Sequence, residues 1–296
     1  MTANNDAAPD LTRLPAPLDR DRYEASRHGV FDDPQITVYR NEAGDFAFLD
    51  PLPSADYLHY EPRAEKLGLT GYKKQRAVFE HRLEQVADII GAADSFIEIG
   101  TAEGGFLECL HNWSPDRRYI AIEPDGNTRA ARAALPWLED HMSTTQAIDS
   151  GCTADCIGMF HVFEHLIDPQ PMLDDVRHLL TPGGRLLIEV PCLRDPLLAV
   201  YESDAYEAFY FQRQHPYVYT GASLGRVLEA AGFTVEETRS YQRYGLENHL
   251  NWLRTGKPGG NPQYRAMFTE LETDYRRALE ASGDSDTVFV IARPAS

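Results

Sequence analysis

The sequence predicts a doubly wound α/β protein built on a mostly parallel sheet. Three observations carry that expectation. From residue 95 onward, short apolar runs alternate with helical patterns, the rhythm of βαβ crossovers. The stretch "SFIEIGTAEGGFLECL", residues 95–110, takes one of those runs through a glycine turn directly into a helix. A length of 296 residues, 43% of them hydrophobic and 25% charged, suffices for one large core with a small appendage.

Residues 1–20 are polar and rich in Ala, Asp and Pro, and are expected to form a disordered tail. Residues 21–92 read as an N-terminal extension or lid. Within it, the Val38/Tyr39 and Phe46/Phe48 alternation around "NEAGD" predicts a small hairpin. "GYKKQRAVFEHRLEQVADIIG" follows with Val78, Phe79, Leu83, Val86 and Ile89 or Ile90 at helical spacing. Residues 93–296 carry the main domain, with strands at "SFIEIG", "RYIAIEP", "DCIGMFHV", "GRLLIEV", "TVEETRSY" and "DTVFVIARP"; the third strand of the series is poorly marked. Inserts at about 192–220 and 245–284 interrupt the rhythm. Both begin at the carboxyl ends of strands, where such sheets bind ligands, so they are expected to cover a substrate.

The formal charge is −18, with only four lysines among 28 basic residues. That balance argues against a nucleic-acid partner, whose phosphates need clustered Lys and Arg, and favours a small-molecule substrate. Cys109, Cys152, Cys156 and Cys192 lack paired metal-knuckle spacing and read as reduced thiols. The N-terminus has no apolar signal-peptide core, and no run of about 18 apolar residues appears. The expectation is a cytoplasmic protein without a membrane span.

Glu98 stands at the mouth of the glycine turn, where a carboxylate repels a pyrophosphate but attracts an ammonium or sulfonium. The spacing also departs from G-x-G-x-x-G, since Ala102 holds the middle position. Gly100, Gly104 and Gly105 are expected to let the backbone approach a ligand closely. The next strand ends in "AIEPD", placing Glu123 where an acidic side chain accepts hydrogen bonds from both ribose hydroxyls. A nucleoside with a cationic amino-acid tail satisfies both carboxylates.

With "IEIGTAEGGF", "AIEPD", "FHVFEHLIDP", "LLTPGGRLLIEVP" and "QHPYVYTGASLGRVLEAAGF" in that order, residues 93–296 resemble the class I S-adenosylmethionine-dependent methyltransferases, in particular those of sugar and polysaccharide pathways. The resemblance implies a Rossmann-like seven-stranded sheet with an antiparallel last strand. It implies S-adenosyl-L-methionine as methyl donor and S-adenosyl-L-homocysteine as product. Glu98 and Glu123 would grip the donor, with the backbone of Gly100, Thr101, Ala102 and Gly104 under its methionine end. Thr101 and Ala102 stand where the family commonly has Cys-Gly or similar, a departure that weakens nothing if Ala102 keeps the expected negative φ. Pro124 and Asp125 would lie by the ribose and adenine, Ile148 and Asp149 at the adenine edge, and Phe160 beside the donor. Tyr72, with Lys73 and Arg76, would close over the methionine carboxylate. "DPLPSADYLHYEP" looks like the end of a zinc-ribbon module, but the region has no cysteines and no zinc is expected there.

Methyl transfer is an in-line displacement, so the enzyme aligns the acceptor and removes its proton. His161, Glu164 and His165 of "HVFEHLIDP" are the acid/base candidates, His161 or His165 being the first choice of base. The structural alternative is that Glu164 and His165 only hold the start of the following helix. Relatives that methylate small-RNA 2′-hydroxyls or ubiquinone precursors place a divalent metal on a similar pattern, which here maps to His161, Glu164, His165 and His215. His161 replaces a carboxylate of that pattern, so a metal is not the expectation. "HVFEH" also spells an inverted zinc-peptidase motif, but it follows a strand rather than lying within a helix, which argues against peptidase chemistry.

For the acceptor, the first insert offers His215 and Tyr217 among a cluster of aromatics, and the second offers Arg243, Tyr244, Asn248 and His249. Polar, basic and aromatic groups together suit a hydroxyl-rich or phosphorylated ligand, such as a sugar or nucleotide-sugar. The competing readings are a packed aromatic lid and a plain surface helix.

Overall fold

In the computed structural model of the chain, residues 9–53 and 72–295 are described, Tyr72–Gln75 and Ala77 by backbone alone. Most of "DPLPSADYLHYEP" therefore lies outside the described residues.

The strands, in chain order, are β1 (Tyr23–Val30), β2 (Asp33–Asn41), β3 (Phe46–Asp50), β4 (Ser95–Ile99), β5 (Arg118–Ile122), β6 (Leu138–His141), β7 (Ala154–Phe160), β8 (Leu180–Pro191), β9 (Tyr217–Tyr219), β10 (Phe233–Tyr241) and β11 (Thr287–Pro294). Seven of them form one sheet in the order β10-β11-β8-β7-β4-β5-β6. All neighbours run parallel except β11, which is antiparallel to β8 and β10. The doubly wound sheet with an antiparallel last strand is thus present, and the weakly marked strand is β6.

Period-two alternation distributes the strand side chains to two buried faces. On one face Phe96, Tyr119, Phe160, Leu187 and Phe289 meet the helices Tyr72–Ile90 and Gly105–Trp113 through Val86, Ile90, Phe106, Leu107 and Leu110. On the other, Ile97, Ile157, Ile188 and Val290 meet the helices Gln170–Leu179 and Gly221–Ala230 through Leu173, Val176, Leu224 and Leu228. Each such side chain stabilises the fold by about 1.5–3 kcal/mol relative to exposure. Because Glu98 alternates with Ile97 and Ile99, it faces the side covered by the helix Tyr72–Ile90.

The other four strands form an antiparallel sheet, β1-β2-β3-β9. The predicted hairpin is β2–β3, whose turn closes on Asn41: its Oδ1 accepts the N–H groups of Asp45 and Phe46 at 3.0 Å. Its last strand comes from the first insert, with Phe46 opposite Tyr219 and Phe48 opposite Tyr217. The N-terminal extension and that insert therefore share one sheet. Most aromatics of the insert are consumed by this packing: Tyr206, Tyr210, Phe211, Tyr217 and Tyr219 are buried. They are core residues and present no open faces to a ligand.

Residues 9–20 depart from the expected disordered tail. Leu14 and Leu18 are buried in the main core, and Arg13 offers its carbonyl to the Tyr217 hydroxyl at 2.8 Å. Leucines spaced three to four residues apart among prolines give this stretch an apolar face that the average composition conceals. The second insert is helical, with segments Leu246–Thr255, Pro262–Phe268 and Glu272–Ser282. Among the described residues no helix is long and apolar enough to cross a membrane.

Candidate active site

The site lies at the carboxyl ends of β4, β5, β7 and β8. After β4 the chain turns through Gly100 at φ +78° and Gly104 at φ +87°. A Cβ on Gly100 would strike Val162 Cγ2, and one on Gly105 would strike the Phe79 ring. The missing Cβ at these two glycines makes room for the protein's own side chains. Ala102 sits at φ +49°, in the left-handed region, against the expectation of a negative φ. An L-residue held there costs roughly 1–2 kcal/mol, so the surroundings must impose it.

The Ala102 backbone is hydrogen-bonded on both sides, by Glu123 and Arg132. Glu123, buried just beyond β5, accepts the Ala102 N–H on Oε2 at 2.8 Å and the Asp125 N–H on Oε1 at 2.9 Å. Arg132 donates from Nη1 to the Ala102 carbonyl at 2.6 Å. Pro124 is exposed, while Asp125 is half-buried and accepts the Asn127 N–H at 2.8 Å.

Glu98 is buried and accepts the Thr101 hydroxyl on Oε2 at 2.8 Å. Burial pushes its carboxyl up to about 7, against the opposing pull of the Arg82 guanidinium and the Thr101 hydrogen bond. Arg82 comes from the helix Tyr72–Ile90 and lies over the Phe160 ring at 4.6 Å and the Phe106 ring at 5.2 Å. Its Nε donates to Glu189 Oε2 at 2.5 Å. Glu189, on β8, is buried, yet Arg82 and His161 hold its carboxyl well below the usual range. Phe160 is thus a wall of this cation-filled box, inside the core.

His161 follows β7 at φ +57°, with its N–H on the Glu189 carbonyl at 2.9 Å. Its Nδ1 lies 3.2 Å from Glu164 Oε1, and its Nε2 lies 3.2 Å from Glu189 Oε1 and 2.7 Å from Arg243 Nη1. Burial alone would lower its pKa; the carboxylates of Glu189 and Glu164 outweigh that and raise it. Arg243 is delivered by a turn fixed on Asp286, whose carboxylate accepts the N–H groups of Arg243 and Tyr244. Tyr244 is exposed beside the Arg243 guanidinium, 5.8 Å from ring centre to Cζ.

Ligand atoms of Glu164, His165 and His215 all lie within 4.8 Å of one another. His161 is not in that cluster, being held by Glu189 and Arg243. Glu164 Oε2 and Gln212 Oε1 are buried and have no hydrogen-bond partner among the described residues. One carboxylate, its Oε2 unpartnered among the described residues, and two imidazoles match the donor set of a divalent cation, so the residues present fit one.

Several expected site residues have other duties. Tyr217 shares its hydroxyl between the carbonyls of Arg13 and Ile167, at 2.8 and 2.9 Å. Asn248 donates to the Gly259 carbonyl at 3.2 Å. His249 is buried against Tyr275, 2.6 Å from Nδ1 to the hydroxyl, and burial pushes its pKa down to about 4, leaving it neutral. Tyr217 and His249 are buried and Asn248 is half-buried, each with its side chain engaged within the protein. Ile148 packs on the core and Asp149 is exposed, both in the last turn of the helix Thr144–Asp149. The strand before that helix ends at His141, so Met142 and Ser143 stand nearer the sheet's carboxyl edge than either. The Tyr72 and Lys73 side chains lie outside those described; Arg76 is exposed and pairs with Glu80 at 2.9 Å.

The sequence reading missed Arg82, Arg132, Glu189 and Asp286. A signal existed for two of them: Arg82 falls on the apolar stripe Phe79, Leu83, Val86, and Glu189 interrupts the apolar run from Leu186 to Val190.

A family model described as "Methyltransferase domain" matches residues 72–238, more than half of the chain. No curated protein matches. Among solved structures, the plantazolicin methyltransferase BpumL in complex with SAH superposes with a TM-score of 0.52 at 12% identity, over 82% of this chain and 94% of that one. A SAM-dependent methyltransferase from Archaeoglobus fulgidus gives 0.48 at 16% identity over 73% of this chain and 93% of that one. The mitomycin 7-O-methyltransferase MmcR gives 0.49 at 15% identity over 81% and 60%. At these identities the likeness to BpumL speaks to the fold.

Proposed function

The chain belongs to the methyltransferase-domain family, and from that premise we propose that it moves a methyl group from S-adenosyl-L-methionine to a small-molecule acceptor, releasing S-adenosyl-L-homocysteine. The observation that carries the reading is the pair of buried carboxylates, Glu98 and Glu123, at the tips of adjacent strands and joined through the Thr101–Ala102 turn. Glu98 faces the cationic methionine end and Glu123 the ribose hydroxyls. The presence of S-adenosylhomocysteine in the BpumL structure supports this donor.

The acceptor is a hydroxyl, of a sugar or nucleotide-sugar, and His161 or His165 takes its proton. Arg243 and Tyr244, at the rim beside His161, are the groups that orient it. Methylation at nitrogen or carbon is the rival chemistry, and a silent donor-binding protein the rival function. Calorimetric titration of S-adenosyl-L-methionine into the wild type and Glu123→Ala separates them. Silence in both sinks the donor assignment; binding without turnover on hydroxyl acceptors redirects the search to amines and carbon acids.

The orphaned Glu164 Oε2 favours a second reading of the same loop. Glu164, His165 and His215 would hold a divalent cation, which supplies Lewis-acid activation of the acceptor hydroxyl when bound. His161 would then stand beside the cluster to receive the proton. Metal analysis of the purified protein beside Glu164→Gln tests it, an equal and negligible metal content in both removing the reading.

A further inference from the structure

Among the largest fully buried side chains of the described residues is an arginine. Arg132 shows no side-chain exposure, and a guanidinium withdrawn from water is costly unless its donors are met. Nε donates to Asp140 Oδ1 at 2.6 Å, and Nη1 to the Ala102 carbonyl and the Thr128 hydroxyl, both at 2.6 Å. Nη2 reaches the Glu123 carbonyl at 3.5 Å. One side chain thus touches the segments that leave β4 and β5, and is aimed by a carboxylate on β6.

The Ala102 residue is held from two sides. Arg132 takes its carbonyl and Glu123 Oε2 takes its N–H, and this is the alanine in the left-handed region. A buried ion pair is weak evidence for a contribution to stability, because apolar replacements of similar volume often do as well; specification of one geometry is the better account where that geometry is strained. Without the guanidinium, Ala102 relaxes to a negative φ, its N–H leaves Glu123, and the carboxylate loses one of its two backbone anchors.

We propose that Arg132 is the positioning residue for the ribose end of the donor site: by clamping the Ala102 carbonyl it imposes the strained turn that fixes the Glu123 carboxylate, with Asp140 orienting the clamp. The inference rests on the assignment of Glu123 to the ribose.

The test is calorimetric binding of S-adenosyl-L-homocysteine and of its 2′-deoxyribose analogue. In the wild type the analogue binds about tenfold more weakly, the value of a hydrogen bond to a charged group. In Arg132→Met that ratio falls towards one, and in Arg132→Met/Ala102→Gly it returns towards the wild-type ratio, because glycine adopts the left-handed turn unaided. Should Arg132→Met fail to fold, Asp140→Asn is read in the same way, with a smaller fall expected. A filler role would weaken both ligands equally and leave the ratio alone. An unchanged ratio in the Arg132 or Asp140 variant overturns the proposal, as does a lost ratio that Ala102→Gly does not restore. Glu123→Ala is the control: a ratio that survives it shows that the ribose assignment itself is wrong, and the Arg132 inference falls with it.

Discussion

Arg243 Nη1 lies 2.7 Å from His161 Nε2, and a guanidinium only donates, so that imidazole nitrogen is an acceptor in the neutral ring. The proton then sits on Nδ1, facing Glu164 Oε1 at 3.2 Å. A second proton on Nε2 would turn to Glu189 Oε1, at 3.2 Å, and would have to displace Arg243. Arg243 and the two carboxylates therefore pull the histidine in opposite directions.

The carboxylates win, raising the His161 pKa above its ordinary value. Arg243→Met removes an opposing cation and is expected to raise it further, whereas Glu164→Gln lowers it. NMR titration of the His161 Cε1–H resonance, in protein treated with EDTA, reads both shifts. A downward move in Arg243→Met would contradict the geometry. The raised value also has a kinetic consequence for the proposal that His161 is the base: it would be available only above its pKa, so turnover should climb with pH through that point.

Glu98 gives a prediction in which affinity and stability oppose each other. Its carboxyl is raised from 4.5 to about 7 by burial. For an acid raised on folding, the favourable contribution is complete below pH 4.5 and is lost as pH climbs towards 7; above that, the folded state carries a buried charge. Glu98→Gln should thus stabilise the protein at pH 8, by on the order of 3 kcal/mol at most, with no gain at pH 4. The same change should remove the cation's partner. Wild-type donor affinity is expected to fall as pH drops below about 7 and to be flat with pH in the variant. Denaturant melts at pH 4 and 8 and calorimetric titrations at pH 6, 7 and 8 check both halves.

Arg82 and Glu189 form a pair whose side chains are 7% and 2% exposed, too dry for either charge to stand alone. Arg82→Met leaves Glu189 unpaired except for His161 and is expected to cost about 3–5 kcal/mol. Arg82→Met/Glu189→Leu, with both charges gone among Phe79, Phe106 and Phe160, should recover most of that. Urea unfolding of the two variants decides; equal losses would mean that the single variant's cost is lost packing and not a stranded charge.

The parts legible in the sequence are those set by local pattern. Glu98, Glu123 and the Gly100–Gly104 turn lie next to apolar strand runs whose period reveals them, and so does the helix carrying Phe79 and Val86. What escaped detection depends on contacts between distant segments. Tyr217 looks like a free phenol in the chain and becomes core only because β9 pairs with β3, some 170 residues earlier. His249 looks like a ligand until Tyr275 takes its Nδ1. The Ala102 carbonyl is held at its left-handed φ by a hydrogen bond from Arg132, thirty positions away, a contact that no local pattern announces. Glu164, His165 and His215 come together because the 163–165 turn packs against β9 just after His215.

The same dependence on distant contacts makes the first described residues testable. Leu18 has no exposure and joins the cluster that contains Phe46, Phe48 and Tyr217, where the small antiparallel sheet meets the main one. Leu18→Ala should cost about 2–5 kcal/mol, the range for emptying a leucine's place in a packed core. A frayed tail would cost nothing. Because β9 hangs on this packing, and His215 lies two residues before it, the variant should also loosen the loop that carries His215. Hydrogen exchange of the amides of β9, faster in Leu18→Ala than in the wild type while those of β4 and β7 stay protected, is the expected signature. An unchanged urea midpoint together with unchanged β9 exchange would show that residues 9–20 do not pack on the domain in solution.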